Sequence, residues 1–221
     1  MKKKLVVLNF LSVIINIVIN FYAQTGKFNN ITVGEMSDKY PNLFTPADYA
    51  FSIWGFIYFS LICSSIYMIK QAFSNGKHTR FIKETSYWFI IANLGTSLWV
   101  ITWLYEFTGL SVVIMFLILA KLCKIIVNNN MELTDAPFKV IAFYWWPICI
   151  FSGWISVASI ANVAAWLTQI GWDGAIFSAA EWTVIMIVVA VIINLLMIYT
   201  RNMREFALVG IWALVAIYIR Q

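Results

Sequence analysis

The sequence predicts an all-α membrane protein, a polytopic bundle of helices with little mass outside the bilayer. Of its 221 residues 62% are hydrophobic and only 11% are charged, whereas a soluble domain usually carries about 25% charged residues. Seven apolar stretches are separated by short polar turns, and most are long enough to cross a hydrocarbon core of about 30 Å as a helix. Basic residues also concentrate in alternate turns, which is typical of a multi-pass chain.

The seven predicted membrane helices follow from where the apolar runs begin and end, and together they make the whole chain, 1–221, a single transmembrane domain. Their ranges are 5–22, 49–69, 87–105, 110–127, 138–167, 177–200 and 206–219. The last is the weakest, because its 14 residues would rise only about 21 Å as a helix.

The distribution of lysine and arginine predicts the orientation. A cytoplasmic N-terminus puts 12 of the 15 basic residues on the inner side and leaves only Lys27, Lys39 and Arg220 outside. An excess of basic residues in cytoplasmic loops sets the orientation of most membrane proteins. We therefore predict a multi-pass protein of the cell membrane with its N-terminus in the cytoplasm and its C-terminus outside. The first apolar run exceeds the 7–15 residues of a signal peptide, so we expect it to be retained as a helix.

A polar stripe marks the first predicted helix. Its members are spaced three, four and four residues apart and share one face: Asn9, Ser12, Asn16 and Asn20. Polar side chains at membrane depth normally hydrogen-bond to a neighbouring helix. Two interpretations stay open, helix packing and the lining of a pore.

The connection 23–48 is the one long loop, and it lies outside in the predicted topology. It is polar and contains Gly26, Gly34, Pro41 and Pro46. A long loop in a compact bundle is often a lid over a binding site. A lid and a plain connector are equally compatible with the sequence.

The sequence lacks the groups of catalytic or metal-binding residues that several classes of enzyme need. The single histidine, His78, lies in an inner loop and cannot form a metal site alone. Glu106 and Glu181 fall at outer helix ends rather than forming an intramembrane acid–base pair. The cysteines lie within apolar runs without CxxC spacing, and we interpret them as small core residues: Cys63, Cys123 and Cys149. We expect no enzyme, no catalytic residue, no metal site and no required cofactor.

Aromatic residues are the remaining signal, and the stretch 44–68 concentrates them. It begins as a turn at Pro46 and continues as an apolar helix in which Phe51, Trp54 and Tyr58 share one face. Seven of the 11 tryptophans fall in the outer half of the predicted bundle. Burying Trp gains little hydrophobic free energy inside a bilayer, and its N–H needs a partner. Inward-facing tryptophans therefore suggest a cavity for a flat apolar ligand, and ordinary aromatic packing stays open as the other interpretation.

The fifth predicted helix contains a proline that should kink it and, further along, a face on which a small residue leaves space between two larger ones. Pro147 removes one backbone donor and should kink the helix. Trp154, Ala158 and Asn162 follow at intervals of four and line one face. This face therefore presents an aromatic ring, a gap above the small alanine and an amide group, one after the other. The third predicted helix offers a similar mixture of indole and amide side chains: Asn93, Trp99 and Trp103.

Three segments carry a resemblance to a known family. They are FTPADYAFSIWGFIY at 44–58, the region of Asn93 and Trp99, and P-x6-W-x3-A-x3-N at 147–162. Together they resemble the TspO/MBR family, the tryptophan-rich sensory proteins related to the mitochondrial translocator protein (peripheral benzodiazepine receptor). The resemblance covers about 5–167 and implies a five-helix TspO-like core, to which 177–219 would add two C-terminal transmembrane helices. Pro46-Ala47 stands where the family usually has two adjacent prolines.

The resemblance implies a membrane receptor or sensor that binds flat hydrophobic ligands, such as porphyrin, haem or another tetrapyrrole, or a sterol, under the first outer loop. Trp54 and Trp154 would stack on the ligand, and Asn93 and Asn162 would meet its polar edge. The complete predicted ligand site is Pro46, Tyr49, Phe51, Trp54, Tyr58, Asn93, Trp99, Trp103, Trp154, Ala158 and Asn162.

Two other classes of function remain as alternatives. The first is a small multi-pass permease or export facilitator that transports solute along the polar stripe, and the second is an intramembrane enzyme acting on a lipophilic substrate. The expected partners are the lipid bilayer and a lipophilic small molecule, with no nucleic acid. Small residues of the fifth helix, Gly153 and Ala158, also suit a helix–helix seam, and a homodimer is left open.

Overall fold

The computed structural model describes residues 2–74 and 79–221, in which all regular secondary structure is helical. The predicted loop histidine, His78, lies outside the described residues. Seven long helices occupy the seven predicted positions: α1 Lys2–Gln24, α3 Ile53–Phe73, α5 Trp88–Leu104, α6 Thr108–Asn128, α8 Trp146–Gln169, α9 Ala179–Arg201 and α10 Arg204–Arg220. Short elements join them: α2 Val33–Lys39, a 3₁₀ turn Asp48–Ser52, α4 Arg80–Thr85, α7 Phe138–Val140 and a π-helical turn Ile141–Trp145.

Five of the helical segments in the described chain are long and apolar enough to cross a membrane. They are Lys2–Gln24, Asp48–Phe73, Thr108–Asn128, Phe138–Gln169 and Ala179–Arg201. The other two long helices, α5 and α10, have 17 residues each. The protein is therefore a multi-pass helical membrane protein, and five of the seven predicted spans meet the length and hydropathy of a crossing.

A π-helical turn accompanies the proline that was expected to kink the fifth span. Ile141–Trp145 forms this turn, and Pro147 follows in the first turn of α8. Proline has no N–H to donate, and its ring crowds the carbonyl group one turn earlier. A wider π turn is one way in which a continuous helix absorbs such a defect.

Helix α8 lies at the centre of the bundle and α9 at its edge. In the most apolar window of each span, 78% of the residues of Phe138–Gln169 are buried inside the protein, against 11% for Ala179–Arg201. Gly153 of α8 allows α10 to approach closely, since a Cβ at this position would lie 2.8 Å from the carbonyl oxygen of Phe206. The small-residue face at Gly153 is thus occupied by a helix of the same chain.

The polar stripe of α1 faces its neighbours. All four side chains are buried, the Asn16 amide nitrogen donates to Oδ1 of Asn93 on α5 at 3.1 Å, and Asn20 donates to Oδ1 of Asn16 at 2.7 Å. We call Asn9, Asn16, Asn20 and Asn93 the amide seam. Its hydrogen bonds agree with helix packing at Asn16 and Asn20.

The three cysteines are free and differ in environment. Cys149 is buried, as expected of a core residue, whereas Cys63 is half-buried and Cys123 is exposed. The core interpretation is therefore wrong for Cys123, which lies on the outer surface of α6. An apolar run does not reveal which face of a membrane helix a residue occupies, because lipid and protein interior are both apolar.

Candidate functional site

Four indole rings face inward in the half of the bundle that contains the long loop. Trp54 is 7% exposed and Trp154 is 3% exposed, so neither points towards lipid. Their ring centroids lie 6.3 Å apart in an edge-on arrangement, and Trp54 is stacked against Trp99 at 6.4 Å. Trp99 is stacked in turn against Trp103 at 6.2 Å. We call Trp54, Trp99, Trp103 and Trp154 the aromatic cage.

A cavity adjoins the aromatic cage and is lined by residues from five parts of the chain. The turn before α3 contributes Phe51, which packs edge-on against Trp154 with the centroids 6.3 Å apart. Helix α8 contributes the predicted Trp154, Ala158 and Asn162 ladder, and α10 contributes Ala213 and Ile217. The helical spacing of four residues is what brings the ladder to one wall.

The long loop covers this cavity. Val33 and Ser37 of α2, followed by Phe44 and Pro46, form part of the lining, and Phe44 is completely buried. The indole nitrogen of Trp103 donates to the carbonyl oxygen of Val33 at 3.4 Å. The loop therefore sits as a lid on the aromatic cage, and we use the name lid for residues 25–47.

One side of the lid is held by Glu106, in the turn between α5 and α6. Its carboxylate accepts from Lys39 Nζ and from Tyr40 Oη, each at 2.6 Å. The Gln169 amide at the end of α8 donates to Tyr40 Oη and to the Glu106 carbonyl oxygen, each at 3.0 Å. Hydrogen bonds from Lys39 and then Tyr40 keep the pKa of the Glu106 carboxyl below its ordinary value. We call this group the Glu106 latch.

The other side of the lid is held by the last residues of α10. Arg220 lies 2.6 Å from Asp38 and 3.7 Å from Asp48, and it donates to the carbonyl oxygen of Pro46 at 3.3 Å. The Ala47 amide donates to the carbonyl oxygen of Ala216 at 3.0 Å. The C-terminal helix thus contributes both to the cavity wall and to the fastening of the lid, a role that the sequence pattern did not suggest.

The cavity is small in this closed arrangement. Its volume is about 50 Å³, whereas ligand pockets usually measure about 300–1,000 Å³ and one water molecule takes about 30 Å³ of liquid. A flat ligand of several fused rings therefore requires the lid or a wall residue to move.

The polar groups of the cavity differ from the expected ones. Asn162 was expected to meet a ligand, but its Oδ1 accepts from the Trp99 indole at 2.7 Å and its Nδ2 donates to Ser111 Oγ at 2.9 Å. Both ends of the amide are therefore engaged within the protein. The Trp154 indole nitrogen, in contrast, is buried and has no hydrogen-bond partner in the described part of the chain.

The structure brings eight of the eleven predicted site residues to the cavity: Pro46, Phe51, Trp54, Trp99, Trp103, Trp154, Ala158 and Asn162. Three lie elsewhere. Tyr49 packs edge-on against Trp212, and Tyr58 stacks against Trp54 with the centroids 5.3 Å apart. Asn93 belongs to the amide seam, because its place on α5 turns it towards α1 rather than towards the lid.

A second group of chemically active side chains escaped the sequence patterns because its members are far apart in the chain. Ligand atoms of Glu132, Cys149 and Glu205 all lie within 4.8 Å of one another. Burial and then the charge of Glu205 raise the pKa of Glu132, and Arg204 opposes this effect.

Comparison with known proteins gives one match. A family model described as TSPO-like protein matches residues 6–221, which includes the lid, the aromatic cage and both C-terminal helices. No curated protein matches the chain, and no solved structure does.

Proposed function

This chain belongs to the TSPO-like family, and on that premise we propose that it binds a flat, membrane-dissolved ligand of the tetrapyrrole class, a porphyrin or haem, within its aromatic cage. The protein would act as a sensor or receptor for that ligand. The proposal is for binding rather than catalysis, because the polar side chains in the cavity lining, other than the indoles, are those of Ser37 and Asn162, neither of which titrates near neutral pH.

The unpartnered indole nitrogen of Trp154 is the observation that carries this proposal. A buried donor without an acceptor costs about 1–3 kcal/mol, and buried indole N–H groups usually have a partner. Trp154 lines the cavity beside Trp54 and Phe51, so a ligand that offers one acceptor oxygen on an aromatic body would satisfy both features. Porphyrin carboxylates and their ring system have this combination.

The small volume of the closed cavity supports a sensing role. A ligand that fits only when the lid or a wall has moved binds one of two conformations and shifts the population towards it. The lid is fastened by the Glu106 latch and by Arg220, two sets of contacts that ligand binding would strain. The conformation of the lid would then report on the presence of the ligand.

The distribution of basic residues supports a specific orientation for this device. With a cytoplasmic N-terminus, the lid and the aromatic cage face the outside of the cell, and the connection between α6 and α7, which contains Glu132, faces the cytoplasm. Positive residues in cytoplasmic loops stabilise this orientation. Cysteine accessibility in intact cells would test it, with single cysteines introduced at Asn30 and at Asp135 in a variant whose three native cysteines are replaced.

Titration with protoporphyrin IX tests the binding proposal directly. Purified protein in lipid nanodiscs should show saturable quenching of tryptophan fluorescence. Trp154→Phe keeps a ring but removes the N–H, and we expect it to weaken binding about tenfold, the equivalent of about 1.4 kcal/mol. Trp145→Phe is the matched control, since Trp145 is also buried but belongs to the π-helical turn at the opposite end of the same span.

The two substitutions distinguish support for the proposal from its refutation. Saturable binding that is weakened by Trp154→Phe and unchanged by Trp145→Phe supports the proposal. Absence of saturable quenching in the unmodified protein, or equal effects of the two substitutions, would refute the ligand class or the location of its site.

A further inference from the structure

A groove lies on the membrane-facing side of the aromatic cage, between α1 and α3. Ile17, Asn20, Phe21 and Gln24 of α1 form one wall, and Gly55 and Tyr58 of α3 belong to the other. Its volume is about 500 Å³, within the usual range of ligand pockets. Phe21 on its edge is 73% exposed, so the groove opens sideways, where the hydrocarbon of the bilayer would lie.

The groove and the closed cavity share part of one wall. Val33, Phe51 and Trp54 line both spaces. Trp54 stacks against Tyr58 at 5.3 Å and against Trp99 at 6.4 Å, and Phe151 and Trp154 pack edge-on to it. Displacement of the Trp54 indole, together with the rings packed on it, would therefore join the small cavity to the larger groove.

Two features of the groove suit a ligand better than lipid alone. The hydroxyl group of Tyr58 is buried and has no hydrogen-bond partner in the described part of the chain, and the Trp154 indole nitrogen is unpartnered across the shared wall. The absence of a side chain at Gly55 also keeps the groove open, since a Cβ there would meet nothing within 4 Å. The joined space would thus be aromatic, roomy and supplied with two donors.

We propose that this groove is the membrane-facing half of the ligand site, and that a flat apolar molecule with a hydrogen-bond acceptor enters it from the bilayer past Trp54. This inference rests on the proposed binding function and adds the route and the missing volume. An apolar ligand is concentrated in the bilayer rather than in water. Entry from above would break the Lys39–Glu106 and Arg220–Asp38 ion pairs, whereas lateral entry leaves both pairs in place during entry and requires Trp54 and the rings packed on it to move.

Filling the groove at Gly55 tests the inference. Gly55→Leu places an aliphatic side chain in open space on a helix, where Leu is also a better helix former than Gly. The matched control is Ala180→Leu, which adds an aliphatic side chain at an exposed position of α9 that lines neither the cavity nor the groove. With protoporphyrin IX as the probe in lipid nanodiscs, we expect Gly55→Leu to weaken binding at least tenfold, Gly55→Ala to weaken it less, and Ala180→Leu to bind as the unmodified protein does.

The result that overturns the inference is unmodified binding by Gly55→Leu, with melting curves that show the variant to be folded. Equal weakening by Ala180→Leu would also overturn it, because the loss of binding would then not depend on the groove. If Gly55→Leu is unfolded, Gly55→Ala decides by the same comparison. Failure of the unmodified protein to bind the probe would count against the proposed function itself, so the two failures are distinguishable.

Discussion

The amide seam and the aromatic cage both bury polar groups at membrane depth, and they use them differently. In the seam, Asn16 bonds to Asn93 and Asn20 bonds to Asn16. Beside the aromatic cage, Asn162 is equally engaged, but the indole N–H of Trp154 lies next to the cavity and has no acceptor in the described part of the chain. Both regions are built from residues three or four positions apart on one helix face. A row of polar residues on one helix face therefore indicates a contact between helices. A ligand site differs from such a contact in having a buried hydrogen-bond donor that lacks a partner and lies next to a cavity.

The largest expected effect comes from making the same substitution in both regions. Asn162→Leu leaves Trp99 without its acceptor, and Asn16→Leu leaves Asn93 without its donor. We expect each to destabilise the protein by about 1–2 kcal/mol, since buried groups lose partners and hydrogen bonds between membrane helices contribute modestly. Only Asn162→Leu should also weaken protoporphyrin binding, about tenfold, because Trp99, which lines the cavity, loses the hydrogen bond that holds its indole ring in place.

Thermal melting and fluorescence titration of the two variants in nanodiscs check this pair. Loss of binding in Asn16→Leu at full stability would erase the distinction between the regions. Solute flux in proteoliposomes that falls in Asn16→Leu alone would favour the permease alternative.

A smaller effect is expected at the lid, which covers the aromatic cage and has no counterpart at the amide seam. Glu106→Gln removes the ion pair with Lys39 but keeps a side chain that can accept from Tyr40. We expect faster backbone hydrogen exchange in Val33–Lys39, by a few-fold, with little change in the seam helix α1. Glu181→Gln is the control, because Glu181 forms its capping box with Ser178 at the start of α9 rather than with a lid residue. Equal exchange in Glu106→Gln and the unmodified protein would show that the latch does not hold the lid.

The pH dependence of the lid follows from the same contacts. The pKa of Glu106 is lowered from 4.5 by hydrogen bonds from Lys39 and Tyr40. A carboxyl group with a lowered pKa in the folded state contributes its full stabilisation above the unfolded pKa and loses it as the pH falls through the folded value. Exchange in Val33–Lys39 should therefore be constant from pH 7 down to the ordinary pKa of a glutamate and accelerate as the pH falls further, through the lowered pKa of Glu106, after correction for the intrinsic rate. Glu106→Gln should lack this acceleration, and its persistence there would assign the effect to another group.

Much of the fold was predictable because the bilayer imposes lengths and hydropathy on each span. The seven apolar runs became seven long helices, with the first residues of the second span forming a 3₁₀ turn, Asp48–Ser52, instead of α-helix. The role of α10 was not predictable. Gly153 and Arg220 show how α10 joins the bundle, but the partners of a small residue and of a terminal arginine depend on helix packing, which no local pattern encodes.

The candidate site was predictable where helical spacing alone decides which way a side chain points. Trp154, Ala158 and Asn162 line one wall for that reason. The structure places Asn93 away from the cavity, where it accepts a hydrogen bond from Asn16 of α1. The sequence could not predict this, because an amide on a membrane helix can pair with any neighbouring helix that carries a matching group. The cavity volume was also beyond the sequence, since it depends on how closely Phe44 and the lid pack.

The smallest effect is expected within the seam itself and separates packing from function there. Both polar atoms of the Asn9 amide are buried and lack partners in the described part of the chain, in contrast to Asn16. Replacing a buried group of this kind by an apolar one of similar shape is close to neutral or stabilising. Asn9→Leu should therefore keep or slightly raise the melting temperature and leave protoporphyrin binding unchanged. A marked loss of stability would mean that Asn9 has an acceptor or donor in the membrane, and a loss of binding or of flux would place the polar stripe, rather than the aromatic cage, at the centre of function.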